Sequence, residues 1–144
     1  VYEGLGTIEN VFVEVAAFPA SGGQPNKNWR NGGLTIFGWQ SKANNLKLKN
    51  VLTDFTPASA KIKEFVEGGM ANKMIFGAST KPVTAVNTVV LGISDNYDKA
   101  QITNYGGVYV RYTDETDNGV AFPVSGWDET YWTVGENAVS WKTK

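Results

Sequence analysis

Residues 54–69 constrain the fold more than any other stretch, because they are the one part of the chain with helical spacing. Thr56 suits the N-cap position, where its hydroxyl can accept from a free amide of the first turn. Pro57 fits the first helical position, where a proline costs no hydrogen bond. Gly68 can adopt the left-handed conformation that ends a helix. We therefore predict one short α-helix at about residues 57–67, whose apolar stripe packs on a β core: Ala58, Ile62, Phe65 and Val66.

The rest of the chain favours strands joined by turns. Val, Thr and aromatic residues alternate with polar ones, and many of the 16 glycines lie beside Asn, Asp or another Gly. We expect an all-β fold, a β-sandwich or closed β-barrel of about eight to ten strands with the helix packed on the sheet. The 144 residues contain no repeat or linker, so we expect a single domain over residues 1–144. The predicted strands are 7–17, 34–40, 46–52, 74–76, 83–93, 100–105, 108–113 and 120–124.

The composition excludes several kinds of chemistry. Without cysteine the chain has no disulfide and no thiolate metal site, and without histidine it has no Ser-His-Asp triad and no His-ligated metal. A net charge of -1 argues against a nucleic-acid partner, and no apolar run approaches the roughly 20 residues that span a bilayer. Carboxylate catalysis needs only two acids, but no motif brings two together, so we expect no enzymatic activity. The start at Val1 fits either removal of a leader or trimming of an initiator methionine.

Two acidic turns carry the residue types that bind calcium. Asp95 and Asp98, or Asp114 and Asp117, could supply carboxylate ligands. Neither stretch has the spacing of a helix–loop–helix calcium site, and such turns are ordinary hairpin chemistry. We therefore expect no cofactor, with calcium at one of these turns as the alternative.

The aromatic residues offer a possible carbohydrate site. Flat rings beside Asp, Asn and Arg are typical of sugar-binding surfaces, because sugar C–H groups stack on the ring and polar side chains bind the hydroxyls. The alternative interpretation is that Trp39 and Trp132 belong to the core and that the other rings surround the sheets. The candidate ligand-binding residues are Trp29, Arg30, Trp39, Trp127, Asp128, Tyr131 and Trp132.

The long connection at residues 18–33 has no periodicity, and loops of this length are usually functional or ordered by a partner. Together with the low content of charged residues (19%), it favours a self-assembling structural subunit, in a virus or phage particle, a tail tube or an extracellular filament. Its partners would be copies of itself, at a virion or extracellular location. A carbohydrate-binding module or lectin with a polysaccharide ligand is the alternative. The predicted assembly contacts are Gln24, Asn26, Lys27, Trp29, Arg30 and Trp141.

Overall fold

The computed structural model describes residues 6–16, 46–58, 84–93 and 107–143. These residues form strands, turns and irregular segments, and they confirm the all-β class. Four long strands form one sheet in the order β1-β2-β3-β4, and two short strands form an antiparallel pair. The strands are β1 (Gly6–Glu14), β2 (Leu46–Asp54), β3 (Thr84–Ile93), β4 (Val108–Tyr112), β5 (Trp132–Val134) and β6 (Val139–Trp141).

The four-stranded sheet is parallel throughout, and its strands follow one another in chain order. Gly6 pairs with Leu46, and Lys47 pairs with Thr84. Parallel neighbours cannot be joined by a tight hairpin, since the chain must cross back before it forms the next strand. The crossovers themselves lie outside the described residues.

Four residues with a positive φ lie side by side across this sheet, one in each of β1, β2 and β3 and one directly before β4. Asn10, Asn50 and Asn87 have φ values of 54°, 54° and 48°, and Gly107 has 85°. Asparagine and glycine are the residues that adopt this left-handed region most readily. At position 107 glycine is also required sterically, because a Cβ there would lie 2.6 Å from the carbonyl oxygen of Ala85. The strands therefore change direction together at one level of the sheet.

On the C-terminal side of these positive-φ residues, the sheet buries side chains on both of its faces. On one face the buried residues are small and β-branched: Val51, Thr53, Thr88, Val90, Val108 and Val110. On the other, which we call the covered face, Leu52, Val89 and Tyr109 lie in one row across three strands. They pack against Trp127, Trp132 and Val139 of the C-terminal segment. Burial on both faces explains why apolar residues are consecutive at Val51-Leu52 in β2, Val89-Val90-Leu91 in β3 and Val108-Tyr109-Val110 in β4.

The prediction of an α-helix is wrong where the structure describes it, because no α-helix occurs in the described residues. The predicted first turn is a short 3₁₀ helix, Thr56–Ala58, closed by a bond from Ala58 N–H to Phe55 O of 2.9 Å. Asp54 Oδ1 accepts from the Thr56 amide at 2.8 Å, so Asp54 and not Thr56 supplies the capping oxygen. Phe55 is fully buried and donates its backbone N–H to Leu91 O, which holds this turn against β3. Residues 59–67 of the predicted helix lie outside the described part.

The strand predictions at 46–52, 83–93 and 108–113 are confirmed, and the one at 7–17 is confirmed as far as Glu14. The predicted strand at 120–124 is wrong, because this segment is irregular. The predictions at 34–40, 74–76 and 100–105 fall outside the described residues. In the described part of the chain, no helix has the length and apolar character needed to cross a membrane.

Two glycines with similar backbone angles test how tightly the 3₁₀ turn packs on β3. Gly92 (φ 73°) would place a Cβ 2.6 Å from Thr56 N, whereas Gly119 (φ 76°) would place one in open space. We expect Gly119→Ala to cost about 1 kcal/mol of unfolding free energy, from the left-handed backbone alone. Gly92→Ala should cost a further 1–3 kcal/mol or so, because the backbone must shift. Urea denaturation measures both, and equal losses would contradict the close contact.

Candidate functional site

Three asparagine side chains form a hydrogen-bonded row across β1, β2 and β3. Asn87 Nδ2 donates to Asn50 Oδ1, and Asn50 Nδ2 donates to Asn10 Oδ1, each at 3.1 Å. Both bonds run in the same direction, from β3 towards β1. Asn50 in the centre is fully buried, so both hydrogen bonds of its side chain are needed to offset the cost of removing it from water. We call Asn10, Asn50 and Asn87 the asparagine row.

The C-terminal segment crosses the sheet along this row. Near β3, a Cβ on Gly126 would lie 3.2 Å from Asn87 Nδ2. At β1, the indole N–H of Trp132 donates to Asn10 Oδ1 at 3.1 Å. The Asn10 side chain is also hydrogen-bonded to the carboxylate of Asp128. Residues 126–132 therefore run from β3 to β1 and end the row with an indole and a carboxylate.

Asp128 is held in its ionised form by several donors. The backbone N–H of Thr130, 2.9 Å from Oδ1, lowers the pKa of Asp128 most, followed by the Thr130 hydroxyl. The charge of Lys49 and the Asn10 amide lower the pKa of this carboxyl further. Lys49 also forms an exposed ion pair with Glu9, at 2.5 Å. The charged end of the row thus lies at the surface beside β1 and β2.

The aromatic rings of the C-terminal segment pack on one another. Trp132 makes edge-to-face contacts with Trp127 and with Trp141, at centroid distances of 4.9 Å in both pairs. Tyr131 and Trp141 are stacked, with centroids 5.6 Å apart and planes at 18°. The Trp127 indole donates to Pro123 O at 2.8 Å. Such pairs add to the stability that their buried area gives.

The predicted ligand-binding rings therefore differ in exposure. Trp127 and Trp132 are 6% and 1% exposed and belong to the core under the covered face. Tyr131 and Trp141 are half-buried, and Asp128 is half-buried at the end of the row. The remaining predicted site and assembly residues lie outside the described part: Gln24, Asn26, Lys27, Trp29, Arg30 and Trp39.

The described candidate calcium ligands are engaged in turns. Asp114 Oδ1 accepts from the Thr116 amide at 3.0 Å, and Asp117 Oδ1 accepts from the Gly119 amide at 2.8 Å. Among the residues that the structure describes, no three acidic side chains come close enough to hold a metal ion. Asp95 and Asp98 fall outside this part. Burial, and then the charges of Asp114 and Asp117, raise the pKa of Tyr112 above its ordinary value.

The outer edge of β4 is occupied by the turn that follows it. Asn118 Nδ2 donates to Val108 O at 2.9 Å, and Asn118 Oδ1 accepts from Val110 N–H at 3.1 Å. The backbone N–H of Asn118 donates to Val110 O, also at 3.1 Å. Tyr112 N–H donates to Thr116 O, and Glu115 N–H donates to Tyr112 O. These bonds satisfy the backbone groups that a fifth strand would use.

The outer edge of β1 is different. Val15 N–H donates to Asp54 O, so the backbone of Glu14, and of Phe12 two residues earlier, points away from β2. Among the described residues, no strand pairs with this edge. Every residue of β1 is half-buried or exposed, and the apolar side chain of Phe12 is 37% exposed.

The sequence-based reasoning missed the asparagine row and Asn118. A usable signal was present for the row, because Asn10, Asn50 and Asn87 each interrupt a run of strand-forming residues. Asparagine is disfavoured inside strands, so three such positions indicate a common structural role. Asn118 precedes a glycine, and this pair predicts a turn but not the strand edge that the side chain contacts.

Comparison with known proteins found no matching family, no matching curated protein and no matching solved structure.

Asn50→Ala and Asn50→Gly separate the two roles of the central asparagine. Both lose the amide and leave Asn10 and Asn87 with an unmet partner, which should cost about 1–3 kcal/mol. Alanine should cost about 1 kcal/mol more than glycine, because it must also hold the left-handed backbone. Urea denaturation at neutral pH measures the two losses. Wild-type stability in Asn50→Gly would mean that the amide bonds contribute nothing.

The lowered pKa of Asp128 predicts that the free energy of unfolding decreases at acid pH. Its pKa in the folded state is lowered, so its contribution is present above the unfolded pKa of about 3.9 and is lost as the pH falls through the folded value. Asp128→Asn should therefore be less stable than wild type at neutral pH, and the difference should shrink at about pH 2. Urea denaturation across this range measures it. Glu129→Gln, which neutralises the adjacent exposed acid, is the control; the same pH dependence in both variants would contradict the prediction.

Proposed function

We propose that this chain is a non-enzymatic structural subunit that assembles with copies of itself, of the virion or extracellular-filament type. The observation that carries the proposal is the difference between the two edges of the parallel sheet. The edge at β4 is closed by the chain's own Asn118 turn, whereas the backbone of β1 points outward with no described strand against it. The proposal also includes the 18–33 loop as a contact, which the described residues do not cover.

An outward-facing strand edge is a surface on which another chain can pair. Natural proteins blunt such edges with charge, proline or a covering segment. β1 carries Glu9 and Glu14, but it also presents Phe12 and has no proline. Glu9 is moreover paired with Lys49, which reduces its repulsion of an incoming strand. These features support pairing at β1 better than they support a permanently isolated edge.

The order of the strands favours a wound stack over an antiparallel sandwich or a closed barrel. Paired positions are separated by 40 residues between β1 and β2 (Gly6 and Leu46) and by 37 between β2 and β3 (Lys47 and Thr84). Between β3 and β4 the separation is 20 residues (Thr88 and Val108). Solenoid proteins stack units of about 20–45 residues so that each unit contacts only its neighbours. Such a stack grows along one axis, which suits an elongated structural subunit.

A carbohydrate-binding module is the second candidate, supported by the Tyr131–Trp141 pair. These rings are stacked and half-buried, and Asp128 lies in the same segment. The burial of Trp127 and Trp132 leaves fewer rings for a platform than the sequence indicates. The structural subunit is therefore the better-supported proposal.

The native mass of the purified protein tests the proposal. We expect light scattering to give a mass above the 15.7 kDa of one chain, and negative-stain microscopy to show regular particles, tubes or filaments. Glu14→Pro removes an outward backbone N–H of β1 and should lower the assembled fraction at least several-fold. Glu14→Ala keeps that N–H and is the matched control.

A wild-type protein that stays at the mass of one chain at every concentration would overturn the proposal. In that case polysaccharides can be screened by tryptophan fluorescence. Binding that is lost in Trp141→Ala and kept in Glu136→Ala would support the carbohydrate alternative.

A further inference from the structure

Asn118 replaces a strand at the edge of β4. Within a parallel pair, a strand offers its neighbour alternating backbone donors and acceptors. Asn118 offers a side-chain donor to Val108 O, a side-chain acceptor to Val110 N–H and a backbone donor to Val110 O. A single residue thus pairs with three consecutive outward groups of β4.

The turn around Asn118 holds it in this position. Asp117 Oδ1 accepts from Gly119 N–H at 2.8 Å, and Asp114 Oδ1 accepts from both the amide and the hydroxyl of Thr116. Gly119 adopts a φ of 76°, which turns the chain away from the edge directly after Asn118. Because Glu115 N–H and Thr116 O satisfy the backbone of Tyr112, the cover extends to the end of β4.

We infer that residues 113–119 are an end cap that prevents β1 of a second copy from pairing with β4. Without the cap, β4 would present outward donors and acceptors of the same kind as those that β2 presents to β1. The sheet could then continue from β4 of one chain to β1 of the next. Such a head-to-tail contact joins two different surfaces, does not close on itself and produces open filaments.

The cap acts in a chain that stays monomeric as well as in one that assembles, so the inference does not depend on the proposed function. In an assembling subunit it has a further consequence. Of the two edges of the described four-stranded sheet, only the β1 edge could then pair with another strand, and further growth would have to use other surfaces.

Asn118→Ala opens the cap, and two measurements follow the result. At a dilution where the variant has the mass of one chain, amide hydrogen exchange of Val110 should become at least ten-fold faster than in wild type, while that of Val90 in β3 stays unchanged. The mass from light scattering should rise with protein concentration above the wild-type value. Thr116→Ala is the matched control, because it removes only the hydroxyl bond to Asp114 and keeps the carbonyl that accepts from Tyr112.

A second substitution identifies the partner surface. Asn118→Ala combined with Glu14→Pro should return to the mass of Glu14→Pro alone, because the β1 edge of the incoming chain then lacks an outward donor. If Asn118→Ala does not fold, Asn118→Asp is used with the same readouts, since aspartate keeps the acceptor for Val110 and loses the donor to Val108.

Each outcome of these experiments supports or overturns the inference that residues 113–119 cap the sheet. Unchanged Val110 exchange in the dissociated variant would show that Asn118 does not protect the edge and would overturn the inference. Faster exchange with the wild-type mass at all concentrations would overturn it too, because the opened edge would not pair. A wild-type protein that is monomeric would contradict the proposed assembly but not the cap, which is judged by the difference between variant and wild type.

Discussion

The structure depends on the row of amides that joins β1, β2 and β3. A buried amide must find both a donor and an acceptor, and each amide of the row satisfies the next. The row also requires a left-handed residue at the same level of each strand, so a slip of β1 by one residue would place Glu9 or Val11 opposite Asn50. The hydrogen bonds between the amides thereby fix the register of the sheet. The β-branched residues on either side would also fit other registers.

The position of the C-terminal segment follows from the same row. Asp128 and Trp132 take up the last donor and the last acceptor at Asn10, which places the Trp132 ring over the sheet. Trp127 and Val139 then cover Leu52, Val89 and Tyr109. Two of the aromatic residues that the sequence predicts as a ligand platform, Trp127 and Trp132, therefore cover a hydrophobic core. Their polar edges serve the fold, since both indole N–H groups donate within the chain.

Runs rich in apolar and β-branched residues, alternating at the start of β2 and consecutive in β3 and β4, were enough to predict the strands of the sheet. They were not enough to predict strand direction, since such runs occur in parallel sheets and in antiparallel sandwiches alike. At Thr56 the chain forms a 3₁₀ turn, in which Asp54 Oδ1 accepts from the Thr56 amide and Ala58 N–H donates to Phe55 O. Asn118 was missed because an asparagine before a glycine signals a turn, and nothing local tells which strand edge its side chain will meet.

Asparagine performs two opposite tasks in this chain. Inside the strands, the asparagine amides form hydrogen bonds that join neighbouring strands of the sheet. At position 118, the same group binds the backbone at the outer edge of β4, where the described sheet ends. The difference lies in the backbone. Asn10, Asn50 and Asn87 return to extended geometry after one left-handed residue, whereas Asn118 is followed by the left-handed Gly119 and the chain leaves the edge. The described sheet is closed by a turn at β4 and has no described strand against β1, so β1 is the edge at which association through strands is to be sought.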